Sequence, residues 1–315
     1  MYTNTAFALL AALASAVIFA SVLTGSFLGI LVGYFTNLPV MAVGLSLGVT
    51  NAAIAALAGT AAVALFGGLS LAVPYGLLFA LPALVLVRQA LLRRPASAGT
   101  VEWYPGGYLA VWLVGLAALL FGGTLALLSR EEGGVAAALS QLLTSALGKL
   151  GPAAMEGVDP AAVQTWAIWV PGIAAASWMV MTAVNGTLAQ ALLVRAGRNV
   201  RPSAEFAQLR LPPWLVAGVG MGFAAWLLGD GFPKFIGQLF TVVCLTAFLI
   251  QGLAVVHAVS RHWHWRVPFL AAFYVFLVII NWLVAPVIVL GLAEQWLRLR
   301  ERMGIADTGG RAKEE

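Results

Sequence analysis

Apolar residues run through this chain in long blocks, separated by short polar clusters. Eight such blocks can be drawn, at roughly 5–33, 39–66, 69–91, 108–128, 163–193, 213–229, 234–258 and 267–293. A helix crosses the hydrocarbon layer with about 20 mostly apolar residues. The block lengths therefore predict an all-α fold, a polytopic transmembrane helical bundle of about eight segments. The first 87 residues hold no Asp, Glu, Lys or Arg, and Arg88 is the first charged side chain. A charge at the bilayer centre costs on the order of 3 kcal/mol on insertion scales, so such a stretch is written for lipid.

The first two blocks are longer than one span, and between them lie Tyr34, Phe35, Thr36, Asn37, Leu38 and Pro39. Proline drives the residue before it out of the α region, so a helix break is expected near Pro39. In lipid, a break is tolerated only where protein or a wet cavity satisfies the freed backbone groups. Residues 34–41 are thus the first place to look for a functional cavity. The stretch 131–155 differs: Val135, Leu139, Leu142, Leu143, Leu147 and Leu150 recur at helical spacing among Ser140, Gln141, Ser145 and Lys149. It reads as an amphipathic surface helix, or equally as a loop helix packed on the bundle.

Charge placement sets the orientation only in part. The loops 88–107, 195–211 and 259–266 are basic and face the cytoplasm by the positive-inside rule, whereas 129–160 carries Glu131, Glu132, Glu156 and Asp159 and faces outward. One further crossing after 266 would carry the C-terminus outside, yet Arg298, Arg300 and Arg302 ask for the inside. Either one segment fails to cross or the tail breaks the rule.

Apolar residues make up 62% of the chain and charged residues 9%, which leaves no stretch polar enough for a separate catalytic module. One transmembrane domain over 1–297 and a polar tail over 298–315 are expected. The net charge of +5 comes from arginines at span ends. It points to anionic lipid rather than nucleic acid as the partner of the basic residues, and the lipid bilayer is the first partner. Cys244 is the only cysteine, so neither a disulfide framework nor a thiolate metal site is available. The first apolar block has no basic residue before it and reads as a retained span.

Two kinds of candidate remain. Small residues recur every fourth position at Ala8, Ala12, Ala16 and Ala20, and again at Gly25, Gly29 and Gly33. Such stripes let helix backbones approach closely, either inside the bundle or against another membrane subunit. Among polar residues in or near the apolar blocks, Asn37, Asn185, Gln190, Gln251, His257 and Asn281 are the candidate ligand-binding set. Amides at depth also bond helix to helix, for about 0.6 kcal/mol on average. No block has an ionisable residue near its middle, which speaks against an ion-driven transporter. His257, His262 and His264 have no carboxylate or cysteine beside them and, with Trp263 and Trp265, read as an interfacial belt, so no metal or other cofactor is expected. No nucleophile–base set or pair of carboxylates is present, so the chain is not expected to be an enzyme.

Three stretches carry a family resemblance. They are Leu38-Pro39-Val40-Met41 leading to Gly44, Gly48 and Gly59; Phe206-Ala207-Gln208-Leu209-Arg210-Leu211-Pro212-Pro213-Trp214; and Gln251 to His257 followed by Gly291 and Arg298 to Arg302. Together they resemble the YybS-like family of bacterial inner-membrane proteins, with motifs that are structural rather than catalytic. The resemblance implies a multi-pass protein of the bacterial inner (cytoplasmic) membrane. The N-terminal part more loosely resembles the substrate-binding subunits of energy-coupling-factor transporters, which dock on a coupling subunit through a small-residue stripe in their first helix. That likeness implies a docking role for Ala8, Ala12, Ala16 and Ala20 and a substrate region near Pro39, although the chain is longer than those subunits. The expected function is a small-molecule-binding or transport subunit without its own ATPase. The alternative is a non-transporting membrane scaffold that organises the envelope.

Overall fold

The computed structural model describes residues 2–96, 100–149, 159–203 and 205–303. The expected helical bundle is what forms. Helix α1 (Tyr2–Val22) ends in a turn at Gly25, and α2 (Phe27–Gly33) starts on Ser26, whose hydroxyl accepts from the Gly29 amide. Four turn residues separate α2 from α3 (Leu38–Leu47), and the two form one span over Phe27–Leu47. The break therefore falls at 34–37, just before the position expected from proline. Pro39 sits in the first turn of α3, where its missing N–H has no partner to lose. A second break, not expected, falls at Gly48 with φ +94°.

Helix α4 (Val49–Tyr75) leads through a π-helical turn (Gly76–Ala80) into α5 (Leu81–Ala90). It is not one rod. At Gly68 the backbone takes φ 65° and ψ −170°, a conformation open to glycine. The chain folds back there, so the Tyr75 hydroxyl stands against Gly59; in a straight helix those residues would be about 24 Å apart. The reversal divides the Val49–Ala90 apolar stretch into two antiparallel arms.

A short hairpin follows, β1 (Arg93–Pro95) paired antiparallel with β2 (Val101–Trp103). Then come α6 (Gly106–Leu128), α7 (Gly134–Lys149), α8 (Pro160–Ala167), α9 (Val170–Arg195), α10 (Leu215–Leu228) and α11 (Phe232–Val259). Val135, Ala138 and Leu139 of α7 are buried, and two of them enter the main core. The first half of α7 packs on the bundle and its second half is largely exposed, as a helix at the bundle surface would be; residues 150–155 of the expected helix, Leu150 included, lie outside the described residues. Helix α10 has 14 residues, about 21 Å. It packs along α11 where a side-chain carbon on Gly222 or Gly237 would strike the other helix's backbone.

Among the described residues, six helical stretches are long and apolar enough to cross a membrane. The last apolar block is different. Helices α12 (Arg266–Ile279) and α13 (Val284–Leu297) meet at 114° across Asn281–Leu283. The end of α13 returns to the face it left. Glu205 pairs with Arg261 at 2.9 Å, and Arg210 pairs with Glu301 at 2.6 Å. The 201–211 loop, the 260–265 turn and residues 298–302 therefore lie together. The contacts favour the first of the two alternatives that the charges left open, a segment that does not fully cross, because Arg298, Arg300 and Arg302 stay with the other basic loops.

The expected polar tail at 298–315 starts as a docked segment. Arg298 takes the left-handed conformation (φ 45°), α14 (Leu299–Arg302) follows, and Arg300 is buried.

Two apolar cores hold the bundle. One joins α1, α3, α4 and α5 around Met41, Val63 and Tyr75, with Ala189 of α9. The other joins α6, α9, α10 and α11 around Met179, Val243 and Phe248. Helix α9 serves both.

Candidate functional site

A cavity of about 560 Å³ lies between α3, α5, α6 and α9 and opens among the residues of the 201–210 loop. Its inner walls are apolar: Met41 and Leu45 from α3, Leu86 and Val87 from α5, Leu113 from α6 and Ile250 from α11. Its outer end is polar, with Gln190, Arg201, Ser203, Glu205, Gln208 and Arg210. That end belongs to the basic face. The volume falls in the range of ordinary ligand pockets, roughly 300–1,000 Å³.

Arg201 is the unusual member. It is 8% exposed, in a loop after α9, and its Nη1 and Nη2 donate to the carbonyls of Ala90 (3.0 Å) and Tyr104 (2.8 Å). Ala90 ends α5, so the cation sits where the helix dipole is negative. Its own carbonyl accepts from Gln190 and Asn199. Burial lowers the Arg201 pKa, yet a guanidinium stays protonated in proteins. Among the described residues no carboxylate pairs with it, whereas Glu205 and Arg210 pair with Arg261 and Glu301. The sequence placed Arg201 among ordinary span-end cations, and no pattern around it marks it as buried.

The residues singled out from sequence divide sharply. Gln190 lines the cavity. Asn37 and Asn185 are buried between helices: Asn37 Nδ2 donates to the Thr182 hydroxyl at 3.3 Å, and Asn185 Nδ2 donates to the carbonyls of Tyr34 and Met181. These bonds fasten the 34–37 turn to α9, and Ser15 also donates to the Thr36 carbonyl at 2.7 Å. The turn at 34–37 is thus packed by protein, and the cavity begins one turn further on, at Met41.

Gln251 stands apart from the cavity, with its oxygen accepting from the Leu211 amide at 2.6 Å and its nitrogen donating to the Gly291 carbonyl at 2.7 Å. His257 Nε2 meets the Tyr274 hydroxyl at 2.8 Å and its ring packs edge-on to Phe206. Asn281 is exposed at the bend between α12 and α13.

The small-residue stripe also lies elsewhere than on an outer face. Ala8, Ala12 and Ala16 are buried and Ala20 is half-buried, on the side of α1 that meets α4, while Leu9, Leu10, Leu13 and Val17 face outward. Gly29 and Gly33 pack beneath Ser21 and Val22 of α1, and Gly25 forms the turn with φ +64°. The close approach the stripe permits is spent within the bundle.

No curated protein and no solved structure matches the chain. A family model does: over residues 13–294, the chain matches the family described as predicted membrane protein (DUF2232). The matched region runs from within α1 to within the last turn of α13, takes in the residues that line the cavity, and makes the chain a member of that family.

Proposed function

We propose that this protein is a small-molecule-binding subunit of a transport or sensing assembly in the bacterial inner membrane, without an ATPase of its own. The observation that carries this reading is the cavity: apolar walls, a polar mouth, and a volume of about 560 Å³ on the basic face. Among the described residues the lining has a single carboxylate, Glu205, which is held by Arg261, so binding rather than catalysis is the role supported. Any partner subunit would meet a face other than the alanine stripe. The YybS-like resemblance supports the bacterial setting, and the looser likeness to transporter binding subunits supports the binding role.

The test is purification from the native membrane in mild detergent, with mass spectrometry of bound small molecules for the wild type and Thr187→Trp. Thr187 lines the cavity, is otherwise exposed, and bonds only to its own helix. A stoichiometric small molecule lost in the variant supports the reading. Identical contents in both proteins would sink it.

A second reading, a non-transporting scaffold, is favoured by α12, which has no buried residue and presents Val275, Phe276, Val278 and Ile279 outward. It predicts stoichiometric protein partners, lost when α12 is deleted, and no bound small molecule.

A further inference from the structure

We infer that the cavity takes a single-chain amphiphile with an anionic head, the acyl chain lying against the apolar walls and the phosphate or carboxylate beside Arg201. This rests on the cavity being a binding site, as proposed above, and goes further by naming the ligand class.

Three features of the lining lead to it. The charge is the first. Among the described residues, Glu205 and Arg210 each have an ion-pair partner and Arg201 has none, so the buried Arg201 cation is the charge of the lining left without a counter-ion. A guanidinium has five donors in a fixed fork that suits carboxylate and phosphate oxygens. Two of its nitrogens are held by the Ala90 and Tyr104 carbonyls, which fix the group at the mouth. A cationic ligand is disfavoured there.

The second feature is the gradient of polarity. Further along the helices from Arg201 the wall includes Met41, Leu113 and Ile250, and its polar groups are few. The Thr187 hydroxyl already bonds to the Ala183 and Val184 carbonyls. A sugar or nucleotide would leave its own polar groups unpaired against that wall, and a lone phosphate would leave most of it empty. The third feature is location. The mouth shares the basic face with Arg261 and Arg298, at the level where anionic head groups collect.

The purified full chain in dodecyl maltoside tests this by native mass spectrometry and thermal shift. The probes are oleate, oleoyl lysophosphatidylglycerol, oleoyl lysophosphatidylcholine, monoolein and inorganic phosphate, each on the wild type, Arg201→Gln, Arg201→Lys and Thr187→Trp. Expected are at least tenfold tighter binding of both anionic chains than of the zwitterionic and neutral ones, loss of that preference in Arg201→Gln, and loss of all binding in Thr187→Trp. Oleate and the lysophospholipid separate a carboxylate from a phosphate head.

Equal binding of all four chains would overturn the anionic class while leaving the cavity as a site. Phosphate binding as tightly as the lysophospholipid would overturn the amphiphile. No binding by any probe, or binding untouched by Thr187→Trp, would overturn the cavity itself for this class. If Arg201→Gln fails to fold, the Arg201→Lys variant carries the test, because it keeps the charge but not the fork: a preference unchanged in it, with phosphate inert, supports the charge argument, and a preference absent from the wild type ends it.

Discussion

Arg300 Nε donates to Glu294 Oε1 at 2.8 Å, and both side chains are only 4% exposed. The pair is made by a backbone reversal. Arg298 adopts φ 45°, the only positive φ outside glycine among the described residues, and the turn brings Arg300 back over α13. Arg300 Nη1 then donates to the Ala207 and Leu209 carbonyls. One arginine thus joins the end of the re-entrant pair to the loop at the cavity mouth. Losing one partner of a buried ion pair leaves an uncompensated charge and costs about 3–5 kcal/mol, whereas replacing both with apolar residues is often neutral. Arg300→Met alone is expected to lose stability of that order in unfolding measurements in micelles, and Glu294→Met with Arg300→Met to recover most of it. An additive double variant would show that the pair carries no coupling.

The course of 266–297 brings residues 298–303 back beside the 260–265 turn. Cys244 is buried, so single cysteines added at Met303, Arg198 and Ser129 can be labelled with a membrane-impermeant maleimide against a quiet background. Met303 and Arg198 are expected to react from one side of sealed vesicles and Ser129 from the other. If Met303 reacted together with Ser129, α12 and α13 would form a full crossing.

Gln251 marks how the re-entrant pair is seated. It bonds at once to the Leu211 amide and the Gly291 carbonyl. Beside it, a side-chain carbon on Gly252 or Gly291 would strike the opposing backbone at Val287 or Phe248. Gln251→Leu strands two buried backbone groups, at roughly 1–3 kcal/mol for each, and Gly291→Leu pushes α13 off α11. Both variants are expected to lower the unfolding midpoint and to expose 284–297 to proteolysis, with amphiphile binding in the folded fraction unchanged. A binding defect without instability would make Gln251 a ligand contact instead.

The Arg210–Glu301 pair gives a pH dependence. The hydrogen bond from Arg210 is the largest influence holding the Glu301 carboxyl below its ordinary value of 4.5. A carboxylate with a depressed pKa contributes its stability above the unfolded value and loses it as pH falls through the folded one. The latch is therefore intact at neutral pH and loosens below about 4.5. Both side chains are partly exposed, so the effect is local and small. A fluorophore on Met303→Cys is expected to gain mobility in that acid range, by anisotropy, and to show no such step in Glu301→Gln. A step surviving in the Gln variant would assign it to another group.

The sequence by itself determined the solvent, the helical class and most of the crossings, because apolar length and the absence of charge are local properties that lipid enforces residue by residue. It also located the break before Pro39 to within a few residues, since proline acts on its own neighbours. Tertiary structure decided what a linear pattern does not encode. A small-residue stripe has the same spacing whether it faces a partner or α4, so only packing placed Ala8, Ala12 and Ala16 inside. Gln190 and Gln251 are both amides near span ends, yet one lines a cavity and the other clamps α13. Arg201 and Arg300 look like any interfacial arginine in the sequence. Their burial depends on carbonyls and a carboxylate brought from other parts of the chain, and only the folded bundle brings those groups within hydrogen-bonding distance.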